Sequence, residues 1–162
     1  MKKHDVAVAA EAYAAALFAQ AGYSVFVQYG ANQPGFDLLV SNDNKVIHVS
    51  VKGSSDGEWK LASKQAGQTY QLALADWTNQ NKNYIFCFVQ FRGVKLGEMP
   101  RVYLAHGTEV GSHLRTSYYG DITLNLVEHH TPKRGKNAGK TQSIPDDWKM
   151  TEERIAWAFS KI

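Results

Sequence analysis

The feature that most constrains the fold is an almost wholly apolar run at residues 84–91, interrupted only by Gln90. A strand with one face in water alternates apolar and polar side chains, and this run does not. The run therefore predicts a strand buried on both faces, with a covering layer on each side of its sheet. Cys87, the chain's only cysteine, lies inside this run, which excludes a disulfide and predicts a buried structural thiol.

Apolar spacing predicts that the chain opens with a helix over residues 5–21, followed by a natural stop at Gly22. Further segments have strand or helix patterns: strands at 23–29, 36–41 and 45–52, then a helix within 63–77. The short turn at 42–44 predicts that the second and third strands form an antiparallel hairpin. The order helix, three strands, helix, buried strand predicts a mixed α/β sheet with helices on both faces.

The rest of the chain supplies accessory elements in the same single domain, which we expect to span residues 1–162. They are predicted as a strand at 101–105, a short helix at 107–117, an edge strand at 121–127 and a last helix capped by Thr151. The core is expected at about 5–91 and the accessory part at about 92–162.

The composition is that of an ordinary globular chain, 44% hydrophobic and 20% charged. No apolar run approaches the roughly 20 residues needed to cross a bilayer, so no membrane association and a cytoplasmic location are expected. A net charge of +3 permits nucleic-acid binding without requiring it. Candidate phosphate contacts are Lys60, Lys64 and a basic segment, predicted to be an exposed loop, that contains Lys133, Arg134, Lys136 and Lys140.

Strand parity brings charged side chains together in the predicted hairpin. In the third strand, residues 47, 49 and 51 form an apolar face, whereas His48, Ser50 and Lys52 lie on the other face. In the second strand, Phe36 is expected to continue the apolar face of residues 38 and 40, with Asp37 pointing the opposite way. The tight turn then sets Asp37 opposite residues 50–52.

An Asp and a Lys at one sheet end, with Glu11 reaching in from the first helix, have a clear chemical use. Two carboxylates can hold a hard divalent cation such as Mg²⁺ through oxygen. The lysine can activate water or stabilise charge that develops on phosphorus. The alternative is that Asp37 ends a loop and Lys52 solvates a strand end. His48 shares the Ser50 face, where it is a ligand or, more commonly, a hydrogen-bonded structural histidine.

These residues carry a resemblance to a known superfamily. Glu11 in an opening helix, the sequence GFDLLV at 35–40 and VSVK at 49–52 resemble the PD-(D/E)xK pattern of restriction-endonuclease-like nucleases. The layout is most similar to Holliday-junction-resolvase-like and Mrr-like members. The resemblance covers about residues 5–91, and Pro34 and Asp37 are not adjacent, so the PD dipeptide is not literal.

The resemblance implies a restriction-endonuclease-like α-β-β-β-α-β core, a mixed sheet flanked by helices with C-terminal accessory strands and a helix. It implies that Asp37 and the backbone carbonyl of Val51 are metal ligands, that Lys52 is the catalytic lysine and that Glu11 assists in positioning metal or water. The cofactor would be Mg²⁺ or Mn²⁺ and the substrate nucleic acid, with DNA favoured. Related nucleases often act as dimers, which implies a homodimer.

Ser50 departs from the pattern, which has Glu, Asp or Gln two residues before the lysine. A neutral hydroxyl is a poor Mg²⁺ ligand. Three accounts stay open: the site is inactive and the fold is kept for binding, another acid such as Glu58 or Glu11 substitutes, or Ser50 binds metal through water.

The leading hypothesis is a metal-dependent nuclease that hydrolyses DNA phosphodiesters. The alternative is a catalytically inactive nuclease fold that binds nucleic acid or a protein partner. A third hypothesis, a protein-interaction module, predicts an exposed aromatic patch formed by Tyr118 and Tyr119 or by Trp148.

Overall fold

The structure is a computed structural model that describes residues 1–28, 35–63, 65–117 and 123–161. The helices are α1 (Lys3–Gln20), α2 (Tyr70–Asn81), α3 (Gly107–Arg115) and α4 (Glu152–Ser160), with a short 3-10 helix over Asp146–Trp148. The strands are β1 (Ser24–Val27), β2 (Leu38–Ser41), β3 (Val46–Ser54), β4 (Glu58–Ser63), β5 (Ile85–Gln90), β6 (Arg101–His106), β7 (Thr123–Val127), β8 (His129–His130) and β9 (Gln142–Ser143). Within these described ranges no helix has the length and apolar character needed to cross a membrane.

The central sheet has five strands in the order β1-β2-β3-β5-β6. β2 and β3 form the predicted antiparallel hairpin, and β3 and β5 run parallel. A parallel pair needs a crossover connection, and α2 lies within the one between these two strands. The mixed α/β sheet flanked by helices is confirmed. Two smaller sheets, β4 with β7 and β8 with β9, complete the described strands.

Two hydrophobic clusters cover the two faces of the central sheet. The first contains side chains from α1 and α4, and the second contains side chains from α2, α3, β4 and β7. β5 contributes to both, and all six of its residues are buried. The buried strand predicted from the apolar run is therefore confirmed. Cys87 is fully buried, and this burial raises the pKa of its thiol.

Close contact between α1 and β3 fixes the helix over the sheet. A Cβ added at Gly53 would lie 2.7 Å from the Val6 carbonyl oxygen and 2.8 Å from Ala10 Cβ. Only glycine allows the helix to approach so closely. Because Glu11 directly follows Ala10, this contact also sets the height of Glu11 along β3.

Three sequence predictions need correction. The second helix, expected within 63–77, begins only at Tyr70, and residues 58–63 before it form β4. β7 is not an edge strand of the central sheet, because it pairs with β4. Trp148 is only 3% exposed, so it supplies no exposed aromatic patch. Tyr118 and Tyr119 lie outside the described residues.

The apolar face of β2 also begins later than predicted. Leu38 and Val40 are buried in the first cluster. The ring of Phe36 instead stacks on His48, which lies on the opposite face of β3 from that cluster. The physical reason is that regular pairing with β3 starts only at Leu38, so alternation does not extend back to Phe36.

Candidate metal centre and nucleic-acid interface

Asp37 is held in place by the backbone of β3. Its Oδ2 accepts a hydrogen bond from the Val51 N–H at 2.6 Å, and the Ser50 hydroxyl donates to the same oxygen at 3.4 Å. The Asp37 N–H donates to the Val49 carbonyl at 2.9 Å. A carboxylate tied on both sides has a fixed orientation, so Asp37 is a pre-organised acceptor at the start of β2.

The carbonyl of Val51 faces the same edge as this carboxylate. Within a strand, the N–H and C=O of one residue point to the same side. Since the Val51 N–H points to Asp37, its carbonyl oxygen is directed toward that edge as well. Two oxygen donors of different types thus converge beside the first residue of β2.

Lys52 follows on β3 and is half-buried. It shares the face of Ser50 and His48, because side chains alternate along the strand. Lys52 partly opposes the rise that burial and Asp37 cause in the pKa of Glu11, so the ammonium lies within electrostatic range of that carboxylate. Lys52 therefore offsets part of the negative charge at this sheet end.

Glu11 completes the group from α1. The pKa of its carboxyl is raised, first because burial disfavours the charged form and then because Asp37 repels it. Lys52 and His4 act in the opposite direction without cancelling the effect. Hydrogen bonds thus join Asp37 to Ser50 and Val51, and Glu11 lies within electrostatic range of Asp37 and Lys52.

This donor set fits a hard divalent cation in one specific way. Among the described residues, no group of three or more His, Cys, Asp or Glu side chains is arranged to hold a metal ion. Mg²⁺, however, commonly binds through one or two carboxylates together with waters and substrate phosphates. Glu11, Asp37 and the Val51 carbonyl are donors of those types, and a cation bound there would relieve the repulsion between the two acids.

The structure bears on which acid could substitute for the carboxylate that Ser50 lacks. Its side chain is buried, at 6% exposure, and its hydroxyl points to Asp37. Glu58 does not replace the missing acid, because it lies on β4 opposite Val127 and its carboxylate accepts from Asn125 at 3.5 Å. Of the two acids considered as substitutes, Glu11 is the one that interacts electrostatically with Asp37.

The basic segment lies inside the hairpin formed by β8 and β9. Lys133, Arg134, Lys136 and Lys140 are all exposed, and none of them forms an ion pair with another described residue. A backbone bond from Gly139 N–H to the Pro132 carbonyl, at 2.9 Å, closes this loop. Four exposed cations on a closed loop can contact phosphates.

The hairpin is attached close to the end of β3. The Glu128 N–H donates to the Gly57 carbonyl at 2.9 Å, and Gly57 lies in the turn directly after β3. Lys60 is exposed on β4, which follows that turn, and Lys64 lies outside the described residues. Lys60 and the hairpin thus both connect to the turn that follows the Lys52 strand.

Sequence reasoning missed two neighbours of the candidate centre. His4 is seven residues before Glu11 on α1, a spacing of two helical turns that could have flagged their proximity. Its charge acts on Glu11, as noted above. Gln28 donates its backbone N–H to the Asp37 carbonyl at 3.0 Å, and its Oε1 is buried with no hydrogen-bond partner among the described residues. No local pattern marks that glutamine.

Comparisons with known proteins add little to this geometry. No protein-family model matches the chain, and no curated protein does. A solved structure of a bacterial homing endonuclease is similar, with a TM-score of 0.49 and 14% identity over 98% of this chain and 94% of that chain. At this similarity no residue role is transferred from it.

Proposed function

We propose that this chain is a metal-dependent nuclease that hydrolyses DNA phosphodiesters at Asp37, Glu11 and Lys52. The observation that carries the proposal is the hydrogen bond of 2.6 Å from the Val51 N–H to Asp37. This bond fixes the Asp37 carboxylate beside the Val51 carbonyl and near Lys52. The carboxylate of Glu11 lies within electrostatic range of both Asp37 and Lys52. Such a group suits phosphate chemistry that needs both anionic and cationic partners.

Each residue has a defined part in this proposal. Asp37, Glu11 and the Val51 carbonyl would hold Mg²⁺ or Mn²⁺, which supplies Lewis-acid polarisation of the phosphate and a more acidic water. Lys52 stabilises negative charge on the phosphate oxygens as water attacks phosphorus and the ester P–O bond breaks. Ser50 restrains Asp37 through its hydroxyl and leaves the centre with fewer anionic ligands than the resemblance implies.

The basic loop is proposed to contact the DNA backbone, with Lys60, and Lys64 beside it in sequence, as further contacts. Neutral substitution of Lys133, Arg134, Lys136 and Lys140 should flatten the dependence of log affinity on log salt, by about 0.9 for each duplex phosphate that is no longer neutralised. An unchanged slope would remove the loop from the interface. A homodimer, which double-strand cleavage would require, and a cytoplasmic location stay predictions.

Nicking of supercoiled plasmid in Mn²⁺ tests the proposal. We expect slow nicking by the parent that is lost in Asp37→Asn and in Lys52→Ala. Asp37→Asn is the sharper variant, because an asparagine oxygen can still accept the Val51 N–H while the charge is gone. Cleavage that persists in both variants would place the chemistry elsewhere.

A catalytically inactive binding module is the second candidate, and Ser50 is the observation that favours it. The residue that should be a central carboxylate is a buried hydroxyl bonded to Asp37. DNA binding by the parent in EDTA, with no nicking in Mg²⁺ or Mn²⁺, would select this function over the nuclease.

A further inference from the structure

An exposed sheet face with aromatic side chains borders the candidate centre. Phe26 pairs with Leu39 across β1 and β2, and Leu39 pairs with His48 across β2 and β3. Cross-strand partners lie on the same face of a sheet, so these three side chains form one row. Phe26 is 61% exposed and His48 is also exposed. We call this row, together with Phe36, the aromatic face.

His48 is the end of the row nearest the candidate centre, and its ring is already stacked. Phe36 lies parallel to it, with ring centroids 4.7 Å apart and an interplanar angle of 10°. Tyr84 lies tilted at 6.2 Å from the His48 ring. A stacked pair with an exposed member is a flat π surface of the kind on which nucleobases stack.

The aromatic face is continuous with the proposed catalytic residues. Phe36 immediately precedes Asp37, and His48, Ser50 and Lys52 are successive side chains on one face of β3. A nucleotide strand whose phosphate lies at Asp37 and Lys52 would therefore place adjacent bases over His48.

Charge also favours nucleic acid over a second copy of this chain. Asp37 is the only carboxylate among the described residues on this face of β1 to β3, and Lys52 lies beside it. A surface that combines exposed rings with a cation suits bases and phosphates.

We propose that the aromatic face is a stacking platform for unpaired bases, so that the substrate strand is single-stranded or locally unpaired at the centre. This rests on the nuclease function proposed above. Bases inside a duplex are already stacked on their neighbours, and only unpaired bases can lie flat on protein rings. The platform therefore gives selectivity for unpaired nucleic acid rather than for a sequence.

Fluorescence anisotropy in EDTA tests the platform without cleavage. The probes are a labelled single-stranded DNA oligonucleotide and the duplex of the same sequence. We expect His48→Ala and Phe26→Ala to bind the single strand about tenfold more weakly, with little change for the duplex. His48→Phe, which keeps a ring, should bind as the parent does.

Met99→Ala is the matched control, since Met99 is 60% exposed like Phe26 but lies near Leu17 and Ile155, residues of the helices that cover the opposite sheet face. It should bind both probes as the parent does. Circular dichroism of each variant should match the parent, because the substituted side chains are exposed.

Three other results would reject the stacking platform, and each points to a different explanation. Unchanged single-strand binding in His48→Ala and Phe26→Ala rejects it, even if plasmid nicking shows that the nuclease function stands. Unchanged oligonucleotide binding together with a shift from dimer to monomer in sedimentation would assign this face to a second copy. Failure of the parent to bind either probe would reject the proposed function together with the platform.

Discussion

Two glutamates of this molecule lie beside a basic side chain, and their environments differ in kind. Glu128, directly after β7, is 3% exposed, and its carboxylate accepts three hydrogen bonds: Arg101 donates at 2.6 and 3.0 Å, and the Tyr103 hydroxyl donates at 2.7 Å. Glu11, on α1, is half-buried and lies within electrostatic range of Asp37 and Lys52. One carboxylate is fully paired, and the other is crowded by a second carboxylate.

The pKa shifts record this difference. Burial acts to raise the pKa of Glu128, but hydrogen bonds from Arg101 and Tyr103 outweigh it and the pKa falls below its ordinary value of 4.5. Burial and Asp37 raise the pKa of Glu11 above the same value. A buried carboxylate whose hydrogen bonds and charge are fully paired stabilises the fold. A carboxylate left beside a second carboxylate is suited to binding a ligand.

Glu128→Gln should give the largest loss of stability. The substitution removes the buried charge that pairs with the partly exposed Arg101, and we expect the free energy of unfolding to fall by about 2 kcal/mol at neutral pH. Urea denaturation measures it. A loss below about 0.5 kcal/mol would mean that the bonds of Glu128 to Arg101 and Tyr103 do not stabilise the fold, and the contrast with Glu11 would then fail.

A smaller effect is expected at Asp37, where two substitutions separate charge from hydrogen bonding. Asp37→Ala leaves the buried Val51 N–H without an acceptor and should cost about 1–2 kcal/mol of unfolding free energy. Asp37→Asn keeps an acceptor and should cost clearly less. Equal losses in the two variants would show that the charge of Asp37 itself stabilises the fold, as that of Glu128 does.

The smallest effect concerns the pH dependence of stability. Because the pKa of Glu11 is raised in the folded protein, its ionisation destabilises the fold as pH rises from 4.5 through the raised pKa. Glu11→Gln should therefore remove a decline in stability over that window. Glu128 acts with the opposite sign, since its stabilisation is present above 4.5 and is lost as pH falls through its lowered pKa.

Denaturation curves at several acidic pH values compare the two variants directly. Glu11→Gln should become more stable relative to the parent as pH rises, and Glu128→Gln less stable. Slopes of the same sign would contradict the assignment of one acid to the fold and the other to a ligand.

Local patterns predicted much of the centre because its geometry is local. Period-two alternation along β3, combined with a tight turn, was enough to set Asp37 beside Ser50 and Val51. The buried strand β5 followed from its lack of alternation. Both inferences depend on residues close together in sequence, where backbone geometry leaves few alternatives.

The remaining elements were harder to predict because they depend on contacts between residues far apart in sequence. β4 escaped prediction because polar and apolar residues alternate only from Glu58 to Leu61, too briefly to mark a strand, and its partner β7 lies far along the chain. The stack of Phe36 on His48 was missed because β2 departs from the regular ladder before Leu38. The Glu128 network likewise joins residues from strands far apart in sequence.

Calorimetric titration with Mn²⁺ tests the central claim, that Glu11 and Asp37 form a divalent-cation centre weakened by Ser50. Ser50→Glu adds an anionic oxygen beside Asp37 and should tighten Mn²⁺ binding about tenfold or more over the parent, whereas Ser50→Gln, of equal size and no charge, should not. Combining Ser50→Glu with Asp37→Asn should abolish the gain. If Mn²⁺ affinity is the same in the parent, Ser50→Glu and the double variant, these residues do not form a metal centre.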